Sequence, residues 1–339
     1  MAAGTKRVNL ALQGGGAHGA FTWGTLEALL QDGRVEIDGI TGTSAGAMNA
    51  VVLAEGYRLG GRDGACAHLE AFWKGISDAS RYSPMQRTVF DVLSGNWSLD
   101  QSPSYLFFDL VSRLASPYDL NPLNLNPLIQ QLDELVDFKA LRADSPIRLF
   151  IAATNVQKGK IRIFEQEELT AKAIMASACL PFIFQAIEID GEAYWDGGYM
   201  GNPPLYPLFY KTETRDTIIV QINPLERQET PRSARDILNR VNEITFNATL
   251  TRELRAIDFV TRLIDEGRLD STDYMRVNLH RIESNDEITP LSASSKLNAE
   301  WAFLSHLRDL GYRAGQNWLE LNFDQIGKNS TLKLKEEFL

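Results

Sequence analysis

Apolar positions along this chain follow two rhythms. Val8-Asn9-Leu10-Ala11-Leu12 is a short, mostly apolar run that reads as a buried strand. Val35 to Thr41, Ile147 to Asn155, Thr217 to Ile222 and Met275 to Ile282 read the same way, with Gly39 expected to break the first of these midway. Between them the spacing becomes helical. Phe21, Leu26, Leu29 and Leu30 mark a helix over Ala20 to Leu30, stopped by Gly33. A helix-compatible run spans Ala45 to Leu53, Gly60 to Gly64 reads as a loop, and Leu69, Phe72, Trp73 and Ile76 share one side of a helix from Ala65. Pro127 opens a helix to about Val136. Lys158-Gly159-Lys160 turns the third strand into a hairpin with Ile161 to Phe164. Leu169 to Cys179 is a helix stopped by Pro181, and Ala186 to Ile189 and Ala193 to Trp195 flank a turn at Asp190-Gly191. Ser233-x-x-Asp236 caps a long amphipathic helix to about Glu266, and Lys296 to Phe323 forms a last one.

Strands alternating with helices predict an α/β fold, a largely parallel central sheet with helices on both faces. One domain is expected over residues 1–325, with 326–339 as a loosely held tail. Residues 77–127 differ in character. They are rich in proline and in aromatics from Tyr82 to Tyr118, and they read as short helices and loops over the sheet. Two readings of that stretch stay open: a cap or lid, or ordinary core under long loops.

Composition narrows the partners. The net charge is -10 in 339 residues, which argues against nucleic acid, since phosphate binding needs a basic surface. It says little against lipid. Cys66 and Cys179 are expected to be buried free thiols in a reducing compartment. With no apolar window of spanning length and no leader pattern at the N-terminus, the expected location is cytoplasmic, at most peripheral to a membrane. The amphipathic helix from Ser233 suits a homodimer interface as well as a core.

Candidate chemistry centres on Gly42-Thr43-Ser44-Ala45-Gly46, which lies between a strand and a helix. Glycines on both sides permit a tight turn that lifts a hydroxyl to a helix N-terminus, where N–H groups favour an anion. Alternatively, Ser44 only caps the helix. A serine needs a base. The four histidines, His18, His68, His280 and His306, lack a flanking motif that would present one of them to Ser44. Asp196 stands out because Gly197 and Gly198 follow it and leave room beside the carboxylate, although Asp-Gly-Gly is also an ordinary turn. Gly14-Gly15-Gly16 exposes backbone donors of the kind an oxyanion needs. The same loop, as Gly14-x-Gly16-x-x-Gly19 with Asp38 downstream, also fits a dinucleotide fingerprint and hence an oxidoreductase.

Taken together and in this order, Gly14-Gly15-Gly16-Ala17-His18-Gly19, Gly42-Thr43-Ser44-Ala45-Gly46 and Asp196-Gly197-Gly198 resemble the patatin-like phospholipase family. Ala176-Ser177-Ala178-Cys179-Leu180-Pro181 is similar to the family's segment ahead of the aspartate. The resemblance covers about Val8 to Pro207. It implies a lipid acyl hydrolase with Ser44 as nucleophile and Asp196 as its base. It implies an oxyanion hole from the N–H groups of Gly14, Gly15 and Gly16, with Ala45 as a further donor by analogy with other serine turns. It implies a phospholipid or other lipid ester as substrate and no cofactor or metal. One position departs: the family often has Arg or Lys where this chain has His18, which puts a phospholipid headgroup preference in doubt. A non-catalytic lipid-binding protein is the remaining alternative.

Overall fold

The structure is a computed structural model. It describes residues 4–81, 83, 85–112, 114–227, 229–270 and 274–337. Tyr82 of the aromatic stretch, the first three residues and the last two of the tail lie outside them. The first unit runs β1 (Lys6–Leu12), α1 (Gly19–Asp32), β2 (Val35–Gly42) and α2 (Ala45–Ser80). Short helices follow: α3 (Val89–Leu93), α4 (Pro103–Ser112), α5 (Pro117–Leu120), α6 (Pro127–Leu135) and α7 (Phe138–Asp144). Then come β3 (Arg148–Asn155), β4 (Lys160–Glu165), α8 (Ala171–Ser177), β5 (Ile187–Ile189) and β6 (Glu192–Asp196). The chain closes with α9 (Tyr206–Lys211), β7 (Asp216–Val220), α10 (Ala234–Asp265), β8 (Asn278–Ile282), α11 (Asn285–Ile288), α12 (Trp301–Asn322) and α13 (Leu334–Glu337).

Among the described residues, eight strands join one sheet in the order β5-β6-β3-β2-β1-β7-β8, with β4 also on β3. β3, β2, β1, β7 and β8 pair in parallel, while β4, β5 and β6 attach antiparallel. The expected largely parallel α/β sheet is therefore present. Its two faces are legible residue by residue. Leu10 and Leu12 enter the larger core and Ala11 the smaller, as do Ile218 and Val220 against Ile219. That alternation is the period of two of a strand buried on both faces.

Several expected boundaries shift, each for a local reason. Gly39 does not break β2. The strand continues to Gly42, and a register shift at Val8 and Asn9 absorbs the irregularity. The loop expected at Gly60 to Gly64 is shorter: only Gly60 and Gly61 leave helical geometry, a kink that divides α2 into two helical segments, and Gly64 packs against the Gly56 carbonyl. The last helix begins at Trp301 rather than Lys296, because Ala293–Leu297 is a 3-10 turn. Cys179 is buried but Cys66 only partly so. In the tail, Leu332 is buried, and the Thr331 and Leu332 N–H groups donate to the Leu279 carbonyl, so this part is tied down. On α10, Ile237, Val241 and Ile244 remain about half exposed, so part of its stripe lies outside the core. Among the described residues no helix is long and apolar enough to cross a membrane.

Helices α1 and α12 cross with backbones in contact. A Cβ on Gly24 would lie 1.8 Å from the Arg308 carbonyl oxygen, and one on Gly311 would lie 1.9 Å from that of Phe21. This clasp supports α1, whose N-terminus follows the glycine loop. Gly311→Ala separates two effects of opposite sign. Helix propensity alone would add up to about 1 kcal/mol. The clash is expected to cost about 3 kcal/mol instead, read as a lower urea midpoint with unchanged slope.

Candidate active site

Strand β3 brings the two candidate side chains together. Its residues Gly39-facing Arg148 to Gly42-facing Ile151 pair with β2, while Ala153 to Asn155 pair with β6 running the opposite way. Residues 150–155 also pair with β4, which must occupy the other edge. So β2 and β6 lie end to end along one edge of β3. Gly42 sits opposite Ile151 and Asp196 opposite Ala153. Two residues of strand are about 7 Å. Ser44, just past the end of β2, therefore meets Asp196 at the end of β6.

The turn at Ser44 is strained, with φ 55° and ψ -121°. Such geometry in a non-glycine residue persists only where its surroundings enforce it. Here both flanking glycines are obligatory. A Cβ on Gly42 would lie 2.7 Å from the Gly46 carbonyl oxygen, and one on Gly46 would lie 2.2 Å from that of Leu12. The Ser44 N–H donates to Ser177 Oγ at 2.9 Å, and the Thr43 hydroxyl donates to the Gly201 carbonyl at 2.7 Å. Ser44 occupies the N-cap position of α2, yet its side chain makes no capping bond. The alternative of a plain helix cap is removed.

Asp196 is 1% exposed. Its Oδ1 accepts the Gly198 N–H at 2.7 Å, and its own N–H and carbonyl are fixed by the Cys179 carbonyl and the Thr154 hydroxyl. Burial pushes its carboxyl up to about 7, while the Gly198 N–H and the Ser44 hydroxyl act to hold it down. The hydroxyl is thus near enough to favour the anion, although the contact falls short of a tight hydrogen bond.

The glycine loop lies against this pair: a Cβ on Gly14 would come 2.6 Å from Ser44 Cβ. Gly16 has φ +60°, and a Cβ there would meet the Lys296 carbonyl oxygen at 2.4 Å. One expectation needs correction. The Gly14 N–H donates to Asn202 Oδ1 at 2.7 Å, so it is already committed. The N–H groups of Gly15, Gly16 and Ala45 have no protein acceptor among the described residues. These three N–H groups are free to donate to a bound group.

A family model for patatin-like phospholipase matches residues 10–209. The chain belongs to the patatin-like phospholipase family. That region covers all three motifs and more than half of the chain. Among curated relatives, YqhO of Bacillus subtilis, itself uncharacterised, is 22% identical over 66% of this chain and 74% of its own. An uncharacterised NTE family protein of Mycobacterium tuberculosis is 29% identical over 74% of this chain, which spans only 60% of that relative. Among solved structures, VipD from Legionella pneumophila aligns with a TM-score of 0.40 and 16% identity, over 98% of this chain and 73% of its own. ExoU of Pseudomonas aeruginosa, in complex with SpcU, aligns with a TM-score of 0.40 and 15% identity, over 94% and 52%. The assignment rests on the family match and the sheet, not on these distant likenesses.

None of the four imidazoles bonds to Ser44 among the described residues. His18 Nε2 shares a hydrogen bond with Ser295 Oγ at 2.8 Å, and burial beside Lys296 and Arg227 keeps it neutral. His280 bonds Asp216 and Thr331, His68 the Gly64 carbonyl, and His306 stacks on Trp97. The dinucleotide reading loses its acid: Asp38 lies mid-strand in β2, bonded to Arg148 and to the Glu213 and Thr214 N–H groups. Among the described residues no cluster could hold a metal ion. Four supporting side chains escaped the sequence reading: Gln13, Ser177, Asn202 and Asn223. Gln13 Oε1 accepts the Ile222 and Asn223 N–H groups, and Asn223 Nδ2 donates to the Gly14 carbonyl at 2.6 Å. Asparagine before proline, in Asn202-Pro203 and Asn223-Pro224, was the available signal.

Burying Asp196 makes a stability prediction. Its folded pKa is raised above the unfolded value of about 3.9, so the native state binds the proton more tightly. Its contribution therefore falls as pH rises from about 4 to about 7, and is constant above. Asp196→Asn removes that penalty. Urea unfolding should show the variant gaining over wild type across this range, with a ceiling of about 4 kcal/mol above pH 7. Equal stability at pH 5 and pH 8 would show that the carboxylate is not desolvated.

Proposed function

We propose that the protein hydrolyses a carboxylic ester of a lipid through an acyl-Ser44 intermediate. The observation that carries this reading is the buried Asp196 carboxyl, poised near neutrality and facing a serine held at positive φ. As Ser44 Oγ attacks the ester carbon, Asp196 takes the hydroxyl proton. The carbonyl oxygen becomes an anion facing the N–H groups of Gly15, Gly16 and Ala45 at the start of α2. Collapse breaks the bond to the alcohol, which leaves with the proton from Asp196. Water then attacks the acyl-enzyme, again losing its proton to Asp196, and Ser44 departs reprotonated with release of the acid. A base with a pKa near the working pH suits both transfers.

The partner in this reading is a lipid surface. In the cap, Phe90, Leu93, Phe107, Leu114, Leu123 and Leu125 are each more than two-thirds exposed. Single exposed apolar residues are ordinary, but a concentration of them within one segment is not. Residues 85–125 contain two arginines, four aspartates and no lysine, and Arg87 is turned inward onto Glu300. That balance suits a zwitterionic bilayer rather than an anionic one. The cap also continues to the site: Gln185 Nε2 donates to the Asn121 carbonyl and the Ala186 N–H to the Tyr118 hydroxyl, in the segment after α8.

Labelling by a fluorophosphonate probe tests the chemistry. Wild type should react at Ser44, with a rate rising tenfold per pH unit up to about 7 and level beyond it. Ser44→Ala should not react, and Asp196→Asn should react at least about 100-fold more slowly. A probe that ignores the wild type, in a protein that still binds fatty acid, would favour the non-catalytic alternative.

The cap has its own test. Phe90→Ser with Phe107→Ser should abolish cosedimentation with phosphatidylcholine vesicles, independently of salt, and leave hydrolysis of a soluble short-chain ester within twofold of wild type. Unchanged vesicle binding would refute the docking surface.

A further inference from the structure

Behind the glycine loop lies a half-buried cation that has no carboxylate of its own among the described residues. Lys296 sits in the 3-10 turn Ala293–Leu297, which packs on the turn Gly16–His18. Its Nζ makes one hydrogen bond among the described residues, to Asn223 Oδ1 at 2.8 Å. That acceptor is a neutral amide. The acid acting on it, Glu243, is already held by Arg227 at 2.6 Å and Arg240 at 3.1 Å. Buried charges are ordinarily paired, because desolvating one alone is costly. An exception needs another reason.

The neighbours of Lys296 supply it. Asn223, which takes the Lys296 ammonium on its oxygen, donates its amide to the Gly14 carbonyl at 2.6 Å. A Cβ on Gly15 would lie 3.6 Å from the same Asn223 oxygen, and one on Gly16 would lie 2.4 Å from the Lys296 carbonyl oxygen. Lys296 thus meets the Gly16 end of the loop through its own carbonyl and the Gly14 end through Asn223. His18, within the loop, is held neutral and bonded to Ser295. The positive charge available to the loop comes from outside it.

We propose that Lys296 is a positioning residue of the reaction: through Asn223 it fixes Gly14 to Gly16, and its ammonium sets a positive potential where the ester oxygen becomes an anion. This rests on the acyl-hydrolase reading. It assigns a role to a residue beyond the motif-bearing half of the chain, and it accounts for a glycine loop that lacks a cation of its own. A charge that acts on the transition state more than on bound substrate alters kcat and spares KM.

The test is hydrolysis of p-nitrophenyl butyrate by wild type, Lys296→Gln and Lys296→Arg, with thermal melting of each and fluorophosphonate labelling rates alongside. Glutamine keeps a donor for Asn223 and loses the charge. Its kcat should fall about 10- to 100-fold, with KM within about twofold. Arginine should recover kcat to within about fivefold of wild type. Asn223→Ala should be non-additive with Lys296→Gln. A folded Lys296→Gln enzyme with wild-type kcat and labelling rate overturns the proposal and leaves the hydrolase reading intact. A wild type that neither turns over nor labels overturns the hydrolase reading first. If the glutamine variant does not fold, the arginine variant decides: a folded enzyme slower than wild type by more than 100-fold overturns the proposal.

Discussion

The site depends on a single edge of strand β3, shared by two strands that approach from opposite directions. Because β2 and β6 both hydrogen-bond to that edge, their ends face each other, two residues apart in register. Neither Ser44 nor Asp196 could move away without breaking ladder bonds in the middle of the sheet. The remaining ties act on this geometry: Ser44 N–H to Ser177, Thr43 to Gly201, Gly14 N–H to Asn202. Each joins the first third of the chain to the segment around Asp196, and together they make one rigid unit.

That unit holds two unfavourable features. Ser44 has a backbone conformation that a non-glycine residue adopts only under constraint. Asp196 is a carboxyl taken out of water with few compensating donors. Both cost stability: one holds a hydroxyl clear of its own helix, the other keeps a carboxyl out of water. The packing that tolerates them is dense, with β strands buried on both faces and α1 clasped to α12 through glycines. A rigid scaffold carrying strained chemistry is a common division of labour in enzymes.

Much of this was legible in the chain itself. The strands announced themselves through apolar runs bounded by turn residues, and Ser44 and Asp196 through glycines that serve no ordinary surface turn. What could not be read has physical causes. Gly39 and Gly60 look like breaks, yet a bulge and a two-residue kink absorb them, because neighbouring packing outweighs local propensity. Gly14 looked like an oxyanion donor. Its N–H is taken by Asn202, a partner 188 residues away that spacing cannot reveal. Lys296 sits in a late helix by periodicity and beside the glycine loop in space. The short helices of residues 77–127 were foreseen as a class, but their outward apolar side chains are visible only in three dimensions.

The most direct test of the central claim is the ionisation of Asp196 itself, followed by NMR of its carboxyl carbon as pH is varied. A carboxyl buried at the end of β6 beside Ser44 should titrate at about 7, and Ser44→Ala should move that value upward by removing a group that favours the anion. An Asp196 that titrates near 4 and is indifferent to Ser44 would mean that the two side chains do not meet in a shared, water-poor site.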